Sequence, residues 1–241
     1  MLERNAIFIQ ARIGSSRLPA KIFLNLQNNF SVLQNCVNRA IKISKELKLE
    51  KPIIVCPKDD EDLIEDNLKD LFKDIVIFGG SELNVLERFQ EAADLHNIEG
   101  IVRVTSDNPL FCIEPVSMCL DEFKNVEENH PSIIDLYSIK KLPNGTVVSG
   151  FNYSFLKKLL SSTPSSKTKE HIVIFDNDNG SINRIEPSIP LSLQDYHCRF
   201  CIDDLNDYKK ILSLKNEIFN ELYFKKLKDF LGDENRSEYG Y

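Results

Sequence analysis

The 241-residue sequence has no apolar run close to the roughly 20 residues that a membrane-spanning helix needs. Its N-terminus also lacks the pattern of a signal peptide, because Glu3 and Arg4 precede an apolar stretch that is too short. Positive charge is in deficit: the formal net charge is −7, which argues against nonspecific nucleic-acid binding as the main function. We therefore expect a cytoplasmic protein without a membrane or nucleic-acid partner. The length allows one large domain or two small ones.

The common phosphate-binding motifs are absent too, since neither GxxxxGK[ST] nor GxGxxG occurs. A second CxxC that could complete a zinc site is also missing, because Cys198-x-x-Cys201 stands alone. These two cysteines fall in a predicted strand, Tyr196–Ile202, where positions three apart face opposite sides. We therefore expect all six cysteines to be reduced, buried thiols rather than a metal or redox site.

Strand-like and helix-like segments alternate strictly up to about residue 127. This alternation predicts βαβ units and a mainly parallel sheet covered by helices on both faces. The strands are predicted at 6–10, 51–56, 75–80 and 101–105, and the helices at 31–47, 59–72, 82–96 and 114–126. Ser31 is the expected N-cap of the first helix.

The second half of the sequence follows a different pattern. Segments 131–138 and 146–152 resemble strands of an inserted antiparallel arm, at about 131–152. A short helix at 153–162, a polar loop at 162–170, the strand at 196–202 and two closing helices complete the chain. We predict a single doubly wound α/β domain over residues 1–232, followed by a flexible tail at 233–241.

A cluster of cations follows the first predicted strand, in the stretch IFIQARIGSSRLPAK at residues 7–21. A glycine- and serine-bearing loop after a strand offers backbone N–H groups to phosphate oxygens, and Arg12, Arg17 and Lys21 add charge. The alternative is a solvated basic turn. Pro19 restricts how the chain approaches Lys21, which favours the functional interpretation.

Two aspartates follow apolar segments at what should be the same edge of the sheet. In doubly wound sheets ligands bind at the carboxyl ends of the strands, and Asp107 follows the strand at 101–105. A carboxylate there could hold Mg²⁺ against a triphosphate, although Asp-Asn-Pro is also a good turn sequence. Asp203 is the candidate second ligand, whereas Asp204 is the expected N-cap of the next helix.

The stretch IQARIGSSRLPAK resembles the start of the spore-coat-polysaccharide type of cytidylyltransferase, a family related to the CMP-Kdo and CMP-sialic acid synthetases. That family's loop reads approximately QARxxSTRLPGK. Weaker resemblances follow in the family's order between residues 7 and 210: GGSELNVLERFQEAA, VRVTSDNPLF, LPNGTVVSGFN, KEHIV and FCIDDLNDY. The first block is specific, and the order and spacing of the others strengthen the match.

The resemblance implies a Rossmann-like nucleotidyltransferase fold and a Mg²⁺-dependent reaction. In that reaction CTP and a sugar acid or phosphorylated acceptor give a CMP- or CDP-linked product and pyrophosphate, for surface-glycan precursor synthesis. The resemblance also implies a homodimer. Such a transfer requires cations along the triphosphate and a metal ion that offsets developing charge, which agrees with the basic loop and the aspartates.

Residue by residue, the resemblance implies catalytic roles for Arg12, Lys21 and Asp107, and metal binding by Asp107 and Asp203. The nucleotide would contact Gln10, Ala11, Arg12, Gly14, Ser15, Arg17, Lys21, Arg88 and Arg103. The acceptor would contact Asn144, Gly145 and His171, although a lone histidine before an apolar run is more often structural.

The sequence also departs from the family pattern. Leu83 and Asn84 replace two acidic residues, Val147 and Ser149 replace carboxylates, and Ser106 replaces a glycine. The loss of the two carboxylates at positions 147 and 149 predicts a different acceptor or weakened activity, with the triphosphate residues retained. Two alternatives remain open. One is a nucleotidyltransferase that uses UTP or GTP, or a non-sugar phosphate or phosphonate acceptor. The other is a catalytically weak nucleotide-binding or assembly protein.

Overall fold

The computed structural model describes residues 2–68, 73–136, 142–174, 180–193 and 199–231, which form a seven-stranded sheet and eight α-helices. The strands are β1 (Asn5–Gln10), β2 (Ile53–Pro57), β3 (Val76–Gly80), β4 (Gly100–Thr105), β5 (Ser132–Asp135), β6 (Ser149–Asn152) and β7 (Asn183–Ile185). The helices are α1 (Val32–Leu47), α2 (Glu61–Leu68), α3 (Val85–His96), α4 (Ile113–Phe123), α5 (Tyr153–Ser161), α6 (Ser166–His171), α7 (Leu205–Leu212) and α8 (Phe224–Leu231). None of these helices combines the length and apolar character needed to cross a membrane. The predicted tail at 233–241 lies outside the described residues.

The order of the strands reverses at β1, and this reversal determines where a ligand can bind. The sheet order is β3-β2-β1-β4-β6-β5-β7, with the first four of these strands parallel. The chain leaves β1 towards one side and returns to β4 on the other, so the loops after these strands diverge and leave a crevice. Gln10 and Thr105, the last residues of β1 and β4, are direct neighbours. The predicted doubly wound, mainly parallel sheet is confirmed.

Alternate residues of the central strands enter two cores, one on each face of the sheet. Ile7 and Ile9 pack with apolar residues of α1, α2 and α4. Ala6 and Phe8 pack with apolar residues of α3 and α5. All four side chains are fully buried. Helices on both faces therefore explain why the parallel strands read as continuous apolar runs.

Residues 131–152 contain the two predicted antiparallel strands, and the structure adds both of them to the central sheet. β5 and β6 do pair antiparallel, but β6 also pairs antiparallel with β4, so both strands belong to the central sheet. Ile133 and Phe151, which face each other on β5 and β6, are buried in the same core as Phe89 of α3. A separate two-stranded ribbon would expose these side chains, whereas the central sheet buries them.

Two local predictions in the second half are corrected. Of the strand predicted at 196–202, residues 196–198 lie outside the described part. Arg199 makes one isolated β-bridge with Asn144, and residues 200–202 form no strand. The predicted polar loop at 162–170 contains the start of α6, because the Ser165 side chain caps this helix by accepting a hydrogen bond from the backbone N–H of Thr168.

The predicted N-caps are confirmed. The Ser31 hydroxyl accepts a hydrogen bond from the backbone N–H of Gln34, and the Gln34 side chain accepts one from the backbone N–H of Ser31. This reciprocal pair is a capping box. The Asp204 carboxylate accepts hydrogen bonds from the backbone N–H groups of Asn206 and Asp207 at the start of α7. Both helices therefore begin where the sequence places their caps.

The expected buried thiols are found at the five cysteines that the structure describes. Cys36, Cys56, Cys112, Cys119 and Cys201 are free and buried. Burial raises the pKa of the Cys56, Cys112 and Cys201 thiols to about 12, so these groups stay protonated at neutral pH. The other member of the CxxC pair, at position 198, lies outside the described residues.

Ala20 ends the cationic loop in a conformation that favours glycine, the residue in the related family's loop. Its φ of 53° and ψ of 24° are left-handed, which costs an L-residue about 1–2 kcal/mol. Glycine removes this strain, but its greater conformational freedom in the unfolded chain lowers stability by about 0.4–1 kcal/mol. We therefore expect Ala20→Gly to raise the free energy of unfolding in urea by about 0.5–1 kcal/mol. Ala40→Gly, inside α1, should lower it by at least about 0.5–1 kcal/mol. Destabilisation by Ala20→Gly would contradict strain at this residue.

Candidate active site

A cavity of about 230 Å³ opens at the crevice between the carboxyl ends of β1 and β4. Its lining comes from the ends of β1 and β4, from the loop at 11–21, from the residues that follow β4, from α6 and from Asp203, which precedes the N-cap of α7. The predicted site residues on its surface are Gln10, Arg12, Gly14, Ser15, Arg17, Lys21, Arg103, Asp107, His171 and Asp203. The fold thus brings the cationic loop and both aspartates to one place.

The Lys21 ammonium group links the two aspartates. Its Nζ lies 2.7 Å from Asp107 Oδ2 and 3.6 Å from Asp203 Oδ1. The same nitrogen donates a hydrogen bond of 2.6 Å to the Ile202 carbonyl oxygen. With 11% of its side chain exposed, Lys21 is far more enclosed than a solvated loop cation. The lysine therefore neutralises a pair of carboxylates that would otherwise repel each other.

Asp203 is held by arginines as well. Arg17 Nη2 lies 2.9 Å from Asp203 Oδ1, and Arg199 Nη2 donates a hydrogen bond to Asp203 Oδ2. Arg199 is largely enclosed, with 18% of its side chain exposed, whereas Arg17 is 64% exposed. One oxygen of Asp203 is thus bound to an enclosed partner, and the other meets cations on the cavity side.

Arg12 is the second exposed arginine of the cavity. Its Nη2 lies 3.3 Å from Glu170 Oε1 on α6, and its side chain is 59% exposed. An exposed ion pair of this kind contributes little to stability and exchanges partners readily. Both exposed arginines, Arg12 and Arg17, are therefore available to an anionic ligand at little energetic cost.

Hydrogen bonds from neighbouring elements hold the cationic loop in place. The backbone N–H of Ile13 donates to Oδ2 of Asp60 at 2.7 Å, and Asp60 lies three residues after the end of β2. Arg103 Nε donates to Gln10 Oε1 at 2.8 Å, which joins the ends of β4 and β1. Arg103 is buried, so its guanidinium supports the bottom of the cavity from within the sheet.

Two predicted nucleotide-binding residues do not line the cavity in the described structure. Ala11 is buried, and its backbone N–H donates to the Val55 carbonyl oxygen at 3.1 Å. Arg88 is also buried, and its Nη1 donates to the Ser81 carbonyl oxygen at 3.0 Å. Burial lowers the pKa of Arg88. Both residues therefore bind neighbouring backbone carbonyl oxygens in the described structure and do not face the cavity.

A second cavity of about 300 Å³ adjoins the first. The two share Arg103, Thr105, Asp107, His171 and Asp203. The remaining lining of the second cavity is more apolar and consists of Asn108, Asn144, Val173, Ile174 and Cys201. Of the three predicted acceptor residues, His171 and Asn144 line this cavity. The pair of aspartates thus stands between two spaces of different polarity.

Gly145, the third predicted acceptor residue, has a packing role instead. Its φ is +93°, and a Cβ atom there would lie 2.4 Å from both the Cys201 nitrogen and the Phe200 carbonyl carbon. Next to it, the Phe200 N–H donates to the Asn144 carbonyl oxygen at 2.7 Å. This close contact positions the segment that leads to Asp203.

We expect Gly145→Ala to lower the free energy of unfolding by about 1–3 kcal/mol in a urea titration, because the new Cβ meets backbone in a left-handed conformation. Gly14→Ala is the matched control, since a Cβ at Gly14 meets nothing within 4 Å. The control should change stability by less than about 0.5 kcal/mol. Equal effects of the two substitutions would contradict the packing role.

The sequence reasoning missed several residues that shape the site. Thr105 donates its hydroxyl to Asp107 Oδ1 at 2.5 Å. Arg199 Nε donates to Asp207 Oδ1 at 3.1 Å. Burial alone raises the pKa of Asp207, but hydrogen bonds from Arg199 and from the backbone N–H of Asp203 outweigh it, and the pKa lies below its usual value. Their place in the sequence could have indicated them, because each residue lies within four positions of Asp107 or Asp203.

The carboxylates of Asp107 and Asp203 fit one divalent cation whose remaining ligands would not come from the protein. Asp107 and Asp203 each present a carboxylate oxygen within 4 Å of the same ammonium nitrogen, and Mg²⁺ is usually bound by one or two carboxylates together with phosphate oxygens and water. No group of three His, Cys, Asp or Glu side chains in the described ranges could form a complete cage. The residues therefore suit a cation that arrives with a phosphate ligand.

A family model described as Cytidylyltransferase matches residues 6–231, a range that contains both cavities and every candidate residue. The chain belongs to the cytidylyltransferase family. It is therefore a nucleotidyltransferase enzyme, as the resemblance of the basic loop predicted.

Individual relatives and solved structures are similar to this chain in sequence or in fold. The cytidylyltransferase is 25% identical to the spore coat polysaccharide biosynthesis protein SpsF of Bacillus subtilis, over 86% of this chain and 84% of that protein. It matches the structure of a cytidylyltransferase from Leptospira borgpetersenii with a TM-score of 0.79 and 25% identity, over 98% of this chain and 96% of that one. The structure of CMP:2-keto-3-deoxy-manno-octonic acid synthetase complexed with CTP has a TM-score of 0.62 and 13% identity, over 88% and 98%. This last likeness concerns the fold alone.

Proposed function

We propose that this cytidylyltransferase transfers CMP from CTP to a sugar acid or a phosphorylated acceptor and releases pyrophosphate. Mg²⁺ is the proposed cofactor, and the proposed role is the synthesis of a surface-glycan precursor by a cytoplasmic homodimer. The observation that carries the proposal is the meeting of Lys21, Asp107 and Asp203 in one cavity that also receives the exposed arginines Arg12 and Arg17.

The exposed arginines are the proposed triphosphate ligands. In the described structure Arg12 pairs with Glu170 and Arg17 pairs with Asp203. A triphosphate offers more negative charge than either carboxylate, and its oxygens accept two hydrogen bonds from one guanidinium. Both arginines therefore exchange a carboxylate for phosphate when the nucleotide binds. Gly14 is exposed and faces open space, so its backbone can approach phosphate oxygens.

In the proposed reaction an acceptor oxygen attacks the α-phosphorus of CTP. A new phosphorus–oxygen bond forms, and the bond to the oxygen that bridges the α- and β-phosphates breaks to release pyrophosphate. Lys21 keeps the carboxylates of Asp107 and Asp203 together, and these two carboxylates would hold the cofactor. When bound, Mg²⁺ supplies positive charge that stabilises the phosphate oxygens of the transition state.

The second cavity is the proposed acceptor site. It meets the first cavity at Asp107, so a ligand in it lies beside a triphosphate in the first. His171 and Asn144 provide polar groups for the acceptor, and Val173 and Ile174 provide an apolar wall. The name of the related SpsF protein, which concerns polysaccharide biosynthesis, supports a sugar acceptor.

Of the departures from the family pattern, only Ser106 is among the lining residues of the two cavities. Val147 and Ser149 are buried, with 3% and 1% exposure. Asn84 caps α3 by accepting a hydrogen bond from the backbone N–H of Glu87 at 3.2 Å, a role that Asn fills as well as Asp. Leu83 is 85% exposed. These positions therefore give no reason to propose a weakened reaction centre.

The proposal is tested by pyrophosphate release from CTP and Mg²⁺ in the presence of single acceptors. The panel contains Kdo, N-acetylneuraminate, glucose 1-phosphate, glycerol 3-phosphate and methylphosphonate. We expect release with a sugar acid or a sugar phosphate, and none without Mg²⁺. Faster release from UTP or GTP than from CTP would replace the nucleotide assignment. Release with glycerol 3-phosphate alone would keep a phosphorylated acceptor but exclude a sugar, and release with methylphosphonate alone would replace the acceptor class. Absence of release with all four NTPs and every acceptor would contradict the proposal for these acceptors.

A further inference from the structure

Asp207 is a buried carboxylate beside the reaction centre that the mechanism above does not use. It belongs to α7 and is 8% exposed. Its Oδ1 accepts a hydrogen bond from Arg199 Nε at 3.1 Å, and its Oδ2 accepts one from Arg199 Nη2 at 3.3 Å. Its Oδ2 also accepts one from the backbone N–H of Asp203 at 2.9 Å. One carboxylate thus binds both ends of the segment 199–203.

The contacts of Arg199 extend this arrangement to the Asp203 side chain. Arg199 Nη2 donates to Asp203 Oδ2 as well as to Asp207 Oδ2. Fork-like pairing of a guanidinium with a carboxylate fixes the plane of the guanidinium. With Oδ2 of Asp203 bound in this way, its Oδ1 is the oxygen that meets Lys21 and Arg17 in the cavity.

A capping role for Asp207 is already filled by another residue. Asp204 is the N-cap of α7 and accepts the backbone N–H groups of Asn206 and Asp207 at 2.8 Å and 3.0 Å. The Asp207 carboxylate lies one turn further on and makes its hydrogen bonds to residues 199 and 203 instead. Its contacts are therefore directed towards the site and not towards the helix.

We propose that Asp207, acting through Arg199, is a positioning residue that sets the orientation of the Asp203 carboxylate for the divalent cation. This inference rests on the proposed function, in which Asp203 is a ligand of that cation. Partners that orient a metal ligand typically change metal affinity or activity by about 10- to 100-fold when they are removed. Asp207 has no contact with substrate in this role and is not a catalytic residue.

The test compares Asp207→Asn with Asp204→Ala, two substitutions at the same end of α7. Asn keeps the size of Asp207 but loses the charge that pairs with Arg199. The first readout is calorimetric titration of Mn²⁺ into each protein saturated with CTP, and the second is CTP binding in EDTA. We expect Asp207→Asn to weaken Mn²⁺ binding by about 10- to 100-fold and to change CTP binding in EDTA by less than threefold. Asp204→Ala should lower the melting temperature and leave Mn²⁺ affinity unchanged.

Activity gives a third readout, with the acceptor that releases pyrophosphate fastest in the panel above. Asp207→Asn should lower kcat and leave the KM for CTP within about threefold. Asp207→Glu keeps the charge and should therefore lose less kcat than Asp207→Asn. Wild-type Mn²⁺ affinity in Asp207→Asn, or an equal loss of Mn²⁺ affinity in Asp207→Asn and Asp204→Ala, would overturn the inference. Absence of CTP-dependent Mn²⁺ binding in the unmodified protein would instead overturn the proposed function itself. If Asp207→Asn fails to fold, Arg199→Lys tests the same link, because lysine keeps the charge and loses the fork.

Discussion

Asp107→Asn is expected to lower kcat for pyrophosphate release by about 10³-fold or more and to leave the fold intact. Asn has the shape of Asp107 and can still accept the hydrogen bond from Thr105, so the site keeps its packing. The substitution removes the negative charge that meets Lys21 at 2.7 Å and that would hold the cation. CTP binding in EDTA should stay within about threefold, because the exposed arginines that we propose as phosphate ligands are unchanged.

Asp121→Asn is the control for this prediction. Asp121 is 66% exposed, pairs with Lys124 on the surface of α4 and lies outside both cavities. The control variant should keep wild-type kcat. Substantial turnover by Asp107→Asn would show that its carboxylate does not hold the cofactor, and a large loss of CTP binding in EDTA would assign Asp107 to the binding of the nucleotide.

Lys21→Ala is expected to weaken kcat/KM for CTP by about 2–3 kcal/mol, roughly 30- to 150-fold, on the scale of a charged hydrogen bond. The sequence alone predicts that folding is untouched, because loop cations contribute little to stability. The structure changes that expectation. Lys21 is enclosed and binds Asp107 and the Ile202 carbonyl oxygen, so its loss leaves two carboxylates near each other without the ammonium group between them.

The melting temperature measures this second effect. It should fall for Lys21→Ala in EDTA and recover in part with Mg²⁺ and CTP, since a cation that the two carboxylates would hold offsets their repulsion. The far-UV circular dichroism should keep its shape. Lys124→Ala, which removes a 61% exposed lysine, is the control and should change neither quantity. Unchanged kcat/KM for Lys21→Ala would contradict the role assigned to Lys21.

Much of the site was predictable because parallel strands end at one edge of a sheet. The loop after β1 and Asp107 after β4 follow neighbouring strands, so alternation of strands and helices already predicts that they meet. Asp203 does lie beside them, but in the described residues the predicted strand does not lead to it, since residues 200–202 form no strand. Instead the Ile202 N–H donates to the Asp107 carbonyl oxygen at 2.9 Å, and the packing of Gly145 against residues 200–201 fixes the approach.

Other features could not be predicted, because short patterns do not specify their partners. β5 and β6 were recognisable as strands, yet two four-residue segments do not reveal whether they pair with a separate arm or with β4. Arg88 shares a helix with apolar residues, and the sequence allows its side chain to reach the nucleotide. In the structure it is buried and donates a hydrogen bond to the Ser81 carbonyl oxygen. The link between Arg199 and Asp207 depends on a turn whose shape the sequence does not encode in any recognised motif.

The proposed cavity between the cationic loop and the two aspartates should bind CTP together with a divalent cation. Calorimetric titration of the unmodified protein with CTP and with ATP, each with Mg²⁺ and again with EDTA, measures this directly. We expect CTP with Mg²⁺ to bind at least about tenfold more tightly than ATP with Mg²⁺, and EDTA to weaken CTP binding by a similar factor. Equal binding of CTP and ATP, or CTP binding that is indifferent to EDTA, would contradict this expectation.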